Sequence, residues 1–321
     1  MQRPMPGLLI IGFEDSAEGR DALALGAQLA QALDARPLIA RALVLPEGVL
    51  SAGGAIAGEI IAALEGVAVR ELAEPLVQLA DLGPLAETLT GSSAARVLHD
   101  LAESHSAVAA VVGSSARGAF GRLVPGSTAE RLLHGAPCAV AVAARGYAAE
   151  GTRPLRVAVA FDGSGEAALA LRAGITIAGR CNSTLTLLTV VETVGFAYTP
   201  SVARAIPVAE YQVREEQRRR RTLDGALGRV PPDLPADGRL LHGAPGQALV
   251  DASKDFDLIV VGSRGYGPLR RTLLGSSSRR LFNGSACSVM ALPRGMSAGP
   301  FAGDDEPLAG EASPDNAKER A

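Results

Sequence analysis

The chain has 321 residues, 47% hydrophobic and 20% charged, which is enough for roughly two domains with their own cores and excludes wholesale disorder. Seven Phe, four Tyr and no Trp give too few rings for base-stacking platforms, and a net charge of −3 offers no basic field to a phosphate backbone, so nucleic acid is not an expected partner. Cys138, Cys181 and Cys287 lie far apart without a C-x-x-C pair, which excludes a disulfide framework or zinc knuckle and fits a reducing compartment.

In chain order, the opening apolar run from Leu8 to Ile11 reads as a strand. It is far shorter than the roughly 20 residues that span a bilayer and lacks a signal-peptide cleavage pattern, so a soluble, cytoplasmic protein without a membrane partner is expected. A helix between Ala55 and Ala80 is much more apolar than its counterpart in the second half, and is expected to be covered by the other domain or another chain. Gly146 to Pro154 reads as a linker. In the second half, strands are predicted at Arg156 to Phe161, Leu185 to Val191, Arg239 to His242, Leu258 to Gly262 and Val289 to Leu292. Helices are predicted at Gly165 to Ala178, Val208 to Leu227 and Gln247 to Lys254. Beyond Pro293 the chain turns to Gly, Pro, Ser, Asp and Glu without periodicity, which predicts a disordered tail over 297–321.

The two halves repeat one design. Leu8-Leu-Ile-Ile-Gly-Phe-Glu14-Asp-Ser16 matches Arg156-Val-Ala-Val-Ala-Phe-Asp162-Gly-Ser164, with Glu14 and Asp162 in register. Val111-Val-Gly113-Ser leading to Gly126-Ser127 matches Val260-Val-Gly262-Ser leading to Gly275-Ser276, and Ala136-Pro-Cys138 matches Ser285-Ala-Cys287. A nearly constant offset over that span argues for duplication of a whole domain, giving units 1–146 and 153–294. Within each, short β-branched or aliphatic runs alternate with longer Ala/Leu/Arg segments, the pattern of βαβ units in a parallel α/β sheet.

The sharpest segment, Gly262-Ser-Arg264-Gly265 through Gly275-Ser276-Ser277, directly follows an apolar strand. Glycines there let backbone N–H groups approach an anion, and a helix opening on Gly-Ser-Ser adds dipole and hydroxyl donors, so the segment reads as a phosphate cradle. The competing reading is a glycine-rich loop with a serine helix cap. Position at the carboxyl end of a central strand favours the ligand site.

This G-x-x-G, nine residues, then G-S arrangement resembles the nucleotide-binding motif of the universal stress protein family. The resemblance extends to Phe161-Asp162-Gly-Ser164, Gly243 and Pro245, Asp257-Leu-Ile-Val-Val-Gly262, and Cys287, and covers nearly the whole chain. It implies two tandem open five-stranded parallel sheets of order 3-2-1-4-5, flanked by helices and related like a fused dimer by a pseudo-two-fold axis. It also implies ATP, with any Mg2+ arriving on the triphosphate: Asp162 facing the ribose, the backbone of Val190 meeting adenine, and Gly262, Arg264, Gly265, Gly275, Ser276 and Ser277 around the phosphates.

The first copy departs from that pattern. Ala116 stands in the Gly265 position, Ser115 in that of Arg264, and Glu14 in that of Asp162, so nucleotide is expected in the second copy alone. A rival fingerprint, Gly163-Ser-Gly165-Glu-Ala-Ala168, suggests a dinucleotide fold, but Asp162 would set a carboxylate beside the pyrophosphate, and the acidic candidate Glu192 lies too far along. Lys254 and Lys318 are the only lysines and neither follows a glycine, which excludes a Walker A loop. The four histidines lack zinc spacing, no G-x-S-x-G elbow occurs, and Asp255 and Asp257 read as a polar strand edge. Arg218 to Arg221 follow Glu215 and Glu216 on a helix and read as a solvated, ion-paired face. The expectation is an ATP-binding sensor or interaction module, not an enzyme, with an unspecified protein partner and a compatible homodimer. The alternatives are a nucleotide-free scaffold and, third, a slow ATPase or nicotinamide-dependent oxidoreductase.

Overall fold

A computed structural model describes residues 7–46, 48, 55–115, 123–135, 137–151, 155–192, 208–263, 275–293 and 301. The first half contributes β1 (Leu8–Gly12), α1 (Ala17–Ala32), β2 (Arg36–Val44), α2 (Ala55–Gln78), β3 (Leu85–Gly91), α3 (Ala94–Ser104), β4 (Ala109–Gly113), α4 (Ser127–Leu133) and β5 (Ala139–Ala143). The second half repeats them as β6 (Arg156–Ala160), α5 (Gly165–Arg180), β7 (Thr184–Val191), α6 (Val208–Leu227), β8 (Ala236–His242), α7 (Pro245–Ala252), β9 (Leu258–Gly262), α8 (Ser276–Phe282) and β10 (Ser288–Leu292).

Local chemistry sets the helix starts. The Ser16 and Ser164 hydroxyls accept hydrogen bonds from the Gly19 and Ala167 amides, at 3.0 and 3.2 Å, capping α1 and α5 at counterpart positions. Pro245 opens α7, where its missing N–H costs nothing.

Within each half the strands run parallel in the order 3-2-1-4-5, as expected. The two sheets do not stay separate. β5 and β10, the inner edges, pair antiparallel through Val140 with Ala291, Ala141 with Met290 and Val142 with Val289, making one ten-stranded sheet. Alternate strand residues feed two cores. Leu9, Ile11, Val157 and Val159 pack under α1, α2, α5 and α6, while Ile10 and Ala158 pack under α3, α4, α7 and α8.

Two expectations change and a third narrows. Gly146 to Glu150 is not free linker: the buried Asp21 carboxylate accepts from the Gly146 and Ala148 amides, both at 2.8 Å, and Tyr147 donates its hydroxyl to Gln28 at 2.6 Å. The tail reading fails at Phe301, which is buried in the first core and accepts from Arg172 Nε through its carbonyl at 3.2 Å; the rest of 297–321 lies outside the described residues. The apolar α2 is not covered by the other half, since Ile60, Val67, Val69 and Val77 remain exposed on it.

Candidate functional site

A cleft of about 340 Å³ opens at the carboxyl ends of β6, β7 and β9, where ligands of open α/β sheets bind. Leu188, Val190, Leu249 and Val261 give it an apolar wall, and Gly275, Ser276 and Ser277 a polar one. Asp162, Glu166, Glu192 and Arg219 supply its charges. Six of the residues singled out from sequence therefore converge: Asp162, Val190, Gly262, Gly275, Ser276 and Ser277. Arg264 and Gly265 lie outside the described residues, as does Ala116 in the first half.

Several of these residues have structural duties of their own. Asp162 Oδ1 accepts from the Ser164 amide at 3.0 Å and from its hydroxyl at 2.6 Å, forming the turn that starts α5. Gly163, inside that turn, has φ +92°, so the glycine of the rival dinucleotide fingerprint is required by the backbone. A Cβ on Gly262 would stand 2.5 Å from the Glu166 carbonyl oxygen, and one on Gly113 would stand 2.3 Å from that of Glu18. Both glycines let the first turn of a helix close onto a strand end. Ser263, next in the chain, is 2% exposed and its hydroxyl has no partner among the described residues; the same holds for its counterpart Ser114, 7% exposed. A buried polar hydroxyl without a partner is costly, and the feature recurs after the fourth strand of each half; of the two serines, Ser114 lines its cleft.

Arg219 was read from sequence as part of a solvated face. Instead it lines the cleft, donates to the Asp162 carbonyl at 3.1 Å and pairs with Glu215 at 2.7 Å. The signal was present in the spacing, because Glu215, Arg219 and the buried Leu223 follow one another at intervals of four and share a helix face. The Glu215 carboxyl is held below its ordinary pKa by hydrogen bonding from Arg218 and, further, from Arg219. Arg218 remains on the surface, as read.

The first half keeps a cleft of about 430 Å³ in the counterpart place, lined by Glu14, Arg41, Gly113, Ser114, Gly126 and Ser127 among others. Arg41 there pairs with Glu71 at 2.8 Å. The Ser16 amide bonds the Glu14 carbonyl at 2.7 Å and no bond links the Glu14 carboxylate to Ser16, so the acidic turn of the second half is not reproduced.

Other candidate chemistry falls away or becomes structural. Burial pushes the Cys138 and Cys287 thiols up to about 12, leaving them inert at neutral pH, and it raises that of Cys181. Asp257 is buried and accepts from the Arg156 amide and guanidinium, so it ties β6 to β9. Among the described residues no group of three His, Cys, Asp or Glu side chains is placed to hold a metal, and no helix is long and apolar enough to cross a membrane.

An edge-joined pair of open α/β units, each with a cleft at its carboxyl edge, defines a duplicated α/β fold. The chain matches the universal stress protein family over residues 8–144 and again over 155–293, and it belongs to that family. It is 29% identical over 294 residues to a universal stress protein of Mycolicibacterium smegmatis, covering 88% of this chain and 96% of that one. It is 30% identical over 188 residues to one of Mycobacterium tuberculosis, covering 58% and 62%. Its fold is similar to a solved universal stress protein of Archaeoglobus fulgidus, with TM-score 0.60 and 19% identity over 90% of this chain and 98% of that one.

Proposed function

We propose that the second-half cleft binds ATP and that the protein acts as a nucleotide-dependent sensor or interaction module, without catalytic turnover. The observation that carries this is the convergence of an apolar slot beside Val190 with the polar Gly275–Ser277 wall and Asp162 in one cleft. These residues fit a nucleotide: the slot takes a planar base, Asp162 a sugar hydroxyl, and the serines and their amides the phosphates, with Mg2+ carried on the triphosphate. Bound ATP would supply an occupancy signal that a partner reads.

A second reading, a nucleotide-free scaffold, is favoured by the structural duties of Asp162 and Gly262. Calorimetric titration of the full chain with ATP separates the two. Heat of binding that Gly275→Val abolishes, in a variant with unchanged circular dichroism, supports the first; no binding to the parent chain supports the second. Hydrolysis is expected to be absent or below about 1 s⁻¹, because the residues assigned to the phosphates, Gly262, Gly275, Ser276 and Ser277, supply backbone donors and hydroxyls rather than a general base.

A further inference from the structure

We propose that the first-half cleft is a site for an uncharged, non-planar apolar molecule carrying one hydroxyl group, a ligand of a different class from a nucleotide. Strand register fixes which residues correspond between the two clefts. Gly12 pairs with Ala40, and its counterpart Ala160 pairs with Leu188. Ala40 therefore takes the place of Leu188, Ala42 that of Val190, and Val44 that of Glu192. All six line their clefts.

The first two exchanges widen the slot. Leu188 and Val190 form the apolar wall suited to a planar base, and alanine at both places cuts that wall back to single methyl groups. The cleft is correspondingly larger, about 430 Å³ against about 340 Å³. Dispersion falls off within an ångström of the contact distance, so a flat ring leaves the wider gap poorly filled and a thicker body fills it. Leu98 and Val112 keep the rest of the wall apolar. The third exchange turns the mouth apolar as well, because Val44 is 55% exposed where the second half carries a carboxylate.

Hydrogen bonding and charge define the rest of the ligand. The Ser114 hydroxyl lines this cleft, is almost fully buried and has no partner among the described residues, whereas Ser263 does not line the second cleft. A ligand hydroxyl can both donate to it and accept from it, making the bond that the chain leaves unmade. The charged side chains of the cleft are Glu14, Glu18 and Arg41. Arg41 donates to Glu71 at 2.8 Å and to the Ala42 carbonyl at 3.3 Å, and Glu18 faces Arg145 at 3.8 Å. Glu14 is exposed. A carboxylate or an ammonium carried to Ser114 would therefore be desolvated without a counter-charge, which an uncharged group avoids.

The test is calorimetric titration of the full chain with adamantanol, a rigid cage bearing one hydroxyl. One molecule should bind per chain, with adamantane carboxylate and adamantanamine each weaker by at least about tenfold. Saturation with ATP beforehand should leave the adamantanol isotherm unchanged. Ala42→Leu refills the slot and Val44→Glu restores the acidic mouth, at a half-buried and an exposed position, and each should weaken adamantanol by at least about tenfold. Ser114→Ala should weaken it about fivefold while raising the melting temperature of the free protein, because the variant removes an unpartnered buried hydroxyl. Unchanged circular dichroism checks that the variants keep the fold. No binding up to the solubility limit, competition by ATP, tighter binding of either charged analogue, or indifference to both Ala42→Leu and Val44→Glu overturns the proposal.

Discussion

Ala141 lies opposite Met290 where β5 meets β10, and the two are repeat counterparts, 149 residues apart. Their flanking pairs exchange accordingly: Val140 faces Ala291 and Val142 faces Val289. The local two-fold axis relating the halves therefore passes through this pair. Both side chains are buried in the core under α1 and α5, which runs unbroken across the junction. The two halves should consequently unfold as one cooperative unit, with calorimetric and van't Hoff enthalpies in agreement. Met290→Ala should cost about 2–4 kcal/mol in urea denaturation and begin to separate the transitions. Two resolved transitions in the parent chain would show that the junction does not couple the halves.

Gly262 and Gly113 should be irreplaceable for a reason independent of any ligand. A methyl group at either position meets a helix carbonyl oxygen at 2.5 or 2.3 Å, and neither backbone can yield cheaply. Alanine at each is expected to destabilise the apo protein by about 3 kcal/mol or more. At Gly126 the nearest atom to a built Cβ is 3.9 Å away, so Gly126→Ala should cost no more than about 1 kcal/mol. Equal, small losses at all three positions would contradict the packing account.

Acid should loosen α6 from the cleft before it unfolds the protein. Glu215 has its pKa lowered by Arg218 and Arg219, so its stabilising effect is fully present above the ordinary glutamate value near 4.3. It is lost as pH falls below that value and through the lower folded one. Arg219, freed from Glu215, keeps among the described residues its bond to the Asp162 carbonyl. The melting temperature of the parent chain should therefore fall toward that of Glu215→Gln over this window. A constant gap between the two from pH 7 down to 3 would contradict the linkage.

Which features were legible in the sequence depends on how local their causes are. The helix Val208–Leu227 and the strand Leu258–Gly262 have the bounds expected from periodicity, because their apolar spacing and breakers are local. The β5–β10 junction was missed, although Ala139–Ala143 and Ser288–Leu292 are buried at every position, a pattern that an exposed sheet edge does not tolerate. Asp21 and Tyr147 bind across more than a hundred residues, and Phe301 packs on α5 from far beyond the repeat, so neither contact leaves a periodic trace. At the cleft, residue types brought Asp162, Val190, Gly262, Gly275, Ser276 and Ser277 to one place, but Asp162 and Gly262 carry structural roles that spacing alone does not separate from ligand contact.

Nucleotide is expected at one site per chain, in the second half. Both clefts exist, so the asymmetry has to come from their chemistry rather than their presence. Asp162 is fixed by Ser164 at the start of α5, whereas the Glu14 carboxylate has no such tether and is one methylene longer. Ser115 offers no cation where the second half has Arg264, and Ala116 adds a methyl group where it has Gly265. If each change cost about 1 kcal/mol and the costs added, affinity would fall more than a hundredfold, and neighbouring changes often combine less than additively. Calorimetry on the full chain should thus give a stoichiometry near one, which Asp162→Ala combined with Gly265→Val removes. Converting the first half with Glu14→Asp, Ser115→Arg and Ala116→Gly should raise the stoichiometry toward two. Two equivalent sites in the parent chain, or tight binding that survives the double change, would mean that the first cleft is the nucleotide site as much as the second.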